Sequence, residues 1–207
     1  MKVFKLLLCV LLFLTLNINM TSVKPGPCEN NAREAIEKHD TPPKGNNPKA
    51  GEEFTDAIDD NVKAADREKL APVVAAIRHA ENGSNGPPPA GRPHEEYGIL
   101  HDKTTHPNCS RCPGHAPDTY RGQAGWCAAT VQKNYDRYKN AGGDPNDMKA
   151  YLKFLGARYC PVDADNDRPC ELDPCPSGIP QPHGINAHWL GNVSKYHKRI
   201  IDKGNCN

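Results

Sequence analysis

Aromatic residues are scarce: Phe, Trp and Tyr make up 6% of the 207 residues. The mean hydropathy is −0.74. Such a chain buries a modest core, and covalent links are expected to supplement it. An excess of one charge is also missing, since 26 Lys and Arg stand against 25 Asp and Glu. Nucleic-acid binding requires a basic face, so that class of partner is excluded. Bulk electrostatic adhesion to an anionic cell envelope is excluded for the same reason. The nine histidines contain no His-Glu-x-x-His arrangement. His94, His101, His106 and His115 fall together in one Pro- and Gly-rich stretch and read as a surface loop. The run Asp163-Ala164-Asp165-Asn166-Asp167 begins like a calcium loop, but Arg168 replaces the required Gly and Pro174 the closing Glu. It reads as a solvated acidic turn. No metal site and no cofactor are therefore expected. No internal repeat is present.

One long apolar run exists, and it lies at the start. Lys2 and Lys5 precede an apolar stretch from Leu6 to Leu16, broken by Cys9 and Thr15 and closed by Asn17, Asn19 and Lys24-Pro25-Gly26-Pro27. About a dozen apolar residues cannot span a bilayer, which takes about 20. The pattern is that of a cleaved secretory signal over residues 1–22, so the protein is expected to be secreted, extracellular and free of membrane after cleavage. Cleavage leaves 24 basic and 25 acidic residues, a net charge of −1. It also removes Cys9 and leaves eight cysteines: Cys28, Cys109, Cys112, Cys127, Cys160, Cys170, Cys175 and Cys206. An even count in an exported chain reads as a disulfide framework, with too many possible pairings for spacing to choose among them. Three glycosylation sequons follow, at Asn82, Asn108 and Asn192.

The remainder divides into a polar N-terminal extension or linker at 23–65 and a denser domain at 66–207. The extension holds two weak helical stretches, 31–39 and 52–65, around the turn-rich Thr41-Pro42-Pro43-Lys44-Gly45. Within the domain, apolar spacing predicts a helix over 72–80 with Pro72 in its first turn. A second helix is predicted over 121–138, stopped by Gly142-Gly143. A third starts at Asp144-Pro145 and carries Met148, Leu152, Leu155 and Tyr159. A last helix over 187–202 turns Trp189, Val193, Tyr196 and Ile200 inward. Residues 84–118 and 160–186 read as long loops. The fold class is mainly α.

Glu81 is the carboxylate with the most suggestive position. Ile77 lies four residues before it and Val74 seven, so Glu81 continues the apolar stripe of its helix. A carboxyl group against apolar side chains resists ionisation, and its pKa rises. That keeps a proton on the group near neutral pH, as a general acid requires. A solvent-facing glutamate at a frayed helix end is the alternative.

The string Val74-Ala75-Ala76-Ile77-Arg78-His79-Ala80-Glu81-Asn82-Gly83, with Glu96-Tyr97-Gly98-Ile99-Leu100-His101 after it, resembles the lysozyme-like superfamily of goose-type lysozymes and lytic transglycosylases. Gln123-Ala124-Gly125-Trp126 and Gly184-Ile185-Asn186-Ala187-His188-Trp189 are compatible with that layout. The resemblance spans residues 66 to 202. It departs from the pattern in carrying His101 where the family has Gln, and Asn82-Gly83-Ser84 after the glutamate. The resemblance implies a lysozyme-like helical domain with long disulfide-clipped loops. It also implies cleavage of a β-1,4 bond in peptidoglycan or a related amino-sugar polysaccharide, with Glu81 as catalytic acid and Tyr97, His101 and Asn186 binding substrate. Hydrolysis usually needs a second carboxylate, for which Glu95, Glu96, Asp102, Asp165 and Asp167 are candidates. Lytic transglycosylases manage with one glutamate. Near-neutral charge and the departed motif residues favour a second expectation: a non-catalytic matrix, biomineral-associated or carbohydrate-binding protein on the same scaffold.

Overall fold

A computed structural model describes residues 24–82, 96–98, 119–159, 187–203 and 206. These residues form six α-helices and no strand: α1 (Pro27–Asp40), α2 (Ala50–Asn61), α3 (Arg67–Asn82), α4 (Tyr120–Asn140), α5 (Met148–Tyr159) and α6 (Ala187–Asp202). The fold is mainly α, as its spacing predicts. No helix among the described residues is long and apolar enough to cross a membrane.

The helix α3 is the axis of the assembly. Leu70, Ala71 and every residue from Val73 to Ile77 are fully buried. A helix apolar on all sides needs neighbours on all sides, and α3 packs against α1, α4 and α6. The sequence places its start at Pro72, but the helix begins at Arg67, so Pro72 lies in its interior. Burial of Leu70 and Ala71 against the neighbouring helices holds the extra turn. The proline removes one amide from the ladder, while the carboxylate of Glu68, four residues earlier, turns outward to α1. There it accepts the amides of Cys28 (3.0 Å) and Glu29 (3.2 Å), two of the orphan donors in the first turn of α1.

The stretch 23–65 is not a separate extension in the described structure. Ala32 and Ile36 of α1 and Phe54, Ala57 and Ile58 of α2 belong to the same buried cluster as α3. The helix α2 lies along α4, and α1 against α3. Their apolar residues are few and widely spaced, so the segment reads as polar although each of its helices has a buried stripe. Cys28 and Cys206 are disulfide-bonded with Cα atoms 5.4 Å apart, tying the start of α1 to the far end of the chain. Cys127 is buried, and the other six cysteines lie outside the described residues.

Helix ends follow local chemistry. Thr119 caps α4 by accepting the amide of Gly122 at 3.0 Å. Gly142, at φ +86°, ends α4, with Gly143 donating to the Tyr138 carbonyl and Gly142 to that of Lys139. The next helix begins later than predicted. Asp144 accepts the amide of Asn146 and forms a turn, and the cap of α5 is Asp147, which accepts the amide of Ala150 at 2.9 Å. On α6 the buried positions are Trp189, Val193, His197 and Ile200, so His197 rather than Tyr196 completes the inward stripe.

Candidate functional site

The last turn of α3 delivers Glu81 to a polar point at the edge of the core. Its carboxyl accepts a hydrogen bond from the indole of Trp189 on α6, with Nε1 2.6 Å from Oε1. Trp189 is itself 6% exposed. On the other side lies Gly98, at φ +69°. A Cβ at Gly98 would sit 2.6 Å from both Cδ and Oε2 of Glu81. The carboxyl is thus held between an indole N–H and a glycine backbone. Burial pushes its pKa up, and the Trp189 hydrogen bond offsets part of that rise. Indole is a donor only, so Oε1 accepts, and Oε2 is the oxygen left to carry the proton when the carboxyl is protonated.

The Gly98 backbone is positioned by Tyr97, which is fully buried. The Tyr97 hydroxyl is 3.1 Å from that of Tyr120, and Tyr120 donates to Asp40 Oδ2 at 2.6 Å. Asp40, at the end of α1, is the centre of this network. Arg78 grips it in a bidentate pair, Nε to Oδ2 at 3.0 Å and Nη2 to Oδ1 at 2.7 Å, and both residues are buried. His39 Nδ1 lies 2.6 Å from Asp40 Oδ1. Burial alone raises the Asp40 pKa, but the hydrogen bond with His39, the Arg78 charge and the Tyr120 hydroxyl together bring it below the usual carboxylate value. A chain of contacts therefore runs from α1 and α3 through Tyr120 and Tyr97 to the glycine facing Glu81.

The sequence-predicted residues fare differently. Glu81 lies on the buried stripe that its spacing indicates. Tyr97 is close by, with its ring fully buried and its hydroxyl 3.1 Å from that of Tyr120. His101 and Asn186 lie outside the described residues, as do Glu95, Asp102, Asp165, Asp167 and the loop at 160–186. Glu96 is fully buried, and Trp126 is half-buried. Among the described residues no group of three His, Cys, Asp or Glu side chains is placed to hold a metal ion. Sequence reasoning missed Asp40 and Arg78. The signal available was an arginine directly after the unbroken apolar run of α3, where only a buried acid can accompany it.

Gly98 is directly testable. Gly98→Ala forces a left-handed backbone on a Cβ and drives it into the Glu81 carboxyl. Left-handed strain alone costs roughly 1–2 kcal/mol. Thermal unfolding is expected to show a midpoint lowered by at least about 2–4 °C, with altered emission from Trp189 as Glu81 is displaced. An unchanged midpoint and spectrum would mean that Gly98 does not hold the carboxyl.

Comparison with known proteins gives no matching family model, no matching curated protein and no matching solved structure.

Proposed function

We propose that this chain is a secreted, lysozyme-like glycosidase or lytic transglycosylase acting on peptidoglycan or a related amino-sugar polymer, with Glu81 as general acid. The observation supporting it is the Glu81 carboxyl itself: its pKa is raised by burial, and it is held by Trp189 at 2.6 Å. The Oε2 proton passes to the glycosidic oxygen as the bond from that oxygen to the anomeric carbon breaks. The Trp189 N–H strengthens its bond to the carboxylate that forms, which stabilises the charge appearing at that moment. With a single carboxylate assigned, a hydroxyl of the substrate's own sugar forms the new bond to the anomeric carbon in the transglycosylase form, and its proton returns to the Glu81 carboxylate.

One observation favours a second reading, a non-catalytic matrix or carbohydrate-binding protein. Tyr97, the aromatic residue expected to stack on sugar, is buried.

The test is release of soluble fragments from purified peptidoglycan by wild type and by Glu81→Gln. Wild type is expected to release fragments, and the variant to be slower by at least about a hundredfold, the usual contribution of a general acid. Equal rates would remove Glu81 from this role. Retention on the polymer without turnover by either protein would select the second reading.

A further inference from the structure

A concave site lies away from Glu81. His79 and Glu81 are two positions apart on α3, about 200° around the helix, and His79 lines a groove between α1 and α6. The groove encloses about 320 Å³, within the range of small-molecule pockets. Its floor is apolar and aromatic. Ala35 and Ile200 line it, and the His79 ring stacks on Tyr196 with centroids 5.1 Å apart and planes inclined by 21°. Burial, reinforced by the neighbouring His39 and Arg78, lowers the His79 pKa to about 4. The imidazole is therefore a neutral flat surface at physiological pH.

The rim has the opposite character. Lys38, Lys44, Arg199 and Lys203 all border the groove, against one carboxylate, Glu34. Glu34 is bonded to Lys203 at 2.9 Å. Among the described residues no carboxylate pairs with Lys38, Lys44 or Arg199, all three are exposed, and the Arg199 guanidinium lies 5.6 Å from the centre of the Tyr196 ring. In a mature chain that is nearly neutral overall, this is a local concentration of unneutralised positive charge around an aromatic floor.

We propose that this groove binds a small amphipathic organic anion, whose flat or aliphatic body packs against Ala35, Ile200 and the edges of the His79–Tyr196 pair and whose carboxylate or sulfonate meets Lys38, Lys44 and Arg199. The apolar floor supplies contact area, and the cations reject neutral analogues by leaving themselves unpaired. The site requires no chemistry from Glu81 and stands apart from the glycosidase reading.

The probe is 2-naphthoate, titrated calorimetrically into the mature protein, with 2-naphthalenemethanol as its neutral counterpart. Saturable naphthoate binding is expected, with the alcohol weaker by at least about tenfold and raised salt reducing affinity. The double variant Lys38→Glu, Arg199→Glu alters exposed residues only and is expected to bind naphthoate about tenfold more weakly or worse. In wild type, the His79 and Tyr196 ring resonances are expected to shift on titration. No saturable binding, equal affinity for the alcohol, or shifts that bypass both rings would each overturn the proposal.

Discussion

Asp40→Ala is expected to destabilise the protein by about 3–5 kcal/mol, the usual cost of leaving a buried charge without its partner. Arg78 is fully buried, and its Nη1 already has no hydrogen-bond partner among the described residues. Asp40 is therefore what compensates the guanidinium, and without it a cation is left in the middle of the core beside Val74 and Ile77. The same change strips Tyr120 of its acceptor and loosens the path through Tyr97 to Gly98. At this chain length the midpoint should fall by roughly 6–20 °C. The double variant Asp40→Leu, Arg78→Met removes both charges and fills the space. It should be far more stable than Asp40→Ala, because a buried ion pair commonly contributes little over well-packed apolar residues. Urea titration of the three proteins checks this. A double variant at least as unstable as Asp40→Ala would show that the loss comes from packing, not from the stranded charge. The measurement also separates fold from site: once folded, the double variant reports whether the Asp40 carboxylate is needed as the Tyr120 acceptor to keep Tyr97 and Gly98 in register with Glu81.

How far the sequence reveals this arrangement depends on how local each signal is. The core of α3 is legible because Val73, Val74 and Ile77 share one helical face, and the end of α4 is legible because Gly142 is a short-range cap, whereas the Thr119 cap at its start is missed. The position of Glu81 is legible because it rests on the same helical period as Val74 and Ile77. The first two helices are under-read because Ile36, Phe54 and Ile58 are isolated among Glu, Asp and Lys, and only the wider cluster around α3 makes them a core. Pairing over distance is hidden altogether. Asp40 meets Arg78 across 38 positions and Glu81 meets Trp189 across 108. The burial of Tyr97 is hidden for a related reason. In a Gly-rich segment, an aromatic ring that seals a core and one that lines a cleft have the same sequence context, and only the Tyr120 hydroxyl distinguishes them.

Stability should decline as pH falls from about 6.5 toward 4, with two histidines responsible. Burial holds His197 at a pKa of about 4, and burial with the charges of His39 and Arg78 does the same for His79, against an ordinary value of 6.5. Well above pH 6.5 both are neutral in either state and contribute no slope. Between 6.5 and 4 the unfolded chain takes up protons that the folded chain refuses, so acid favours unfolding. Two such groups give a slope of up to about 2.7 kcal/mol per pH unit and a loss on the order of 3 kcal/mol each across the window. Glu81 and Glu29 act in the opposite sense. Their folded pKa values are raised by burial, so they bind protons more readily when folded and recover some stability as pH falls. Asp40, whose folded value is lowered, adds its own loss only below its unfolded value of 3.8. The two histidines act together, and their combined loss is expected to outweigh the opposing contributions of Glu81 and Glu29. His197→Phe keeps an aromatic ring in the inward stripe of α6 and removes one titrating group. It should leave stability near pH 7 within about 1.5 kcal/mol of wild type and reduce the slope between about pH 6.5 and 5 by roughly half. Urea unfolding at a series of pH values measures both. A wild-type protein equally stable at both ends of that range, or a His197→Phe slope equal to wild type, would mean that the buried imidazoles acquire protons without opening the fold.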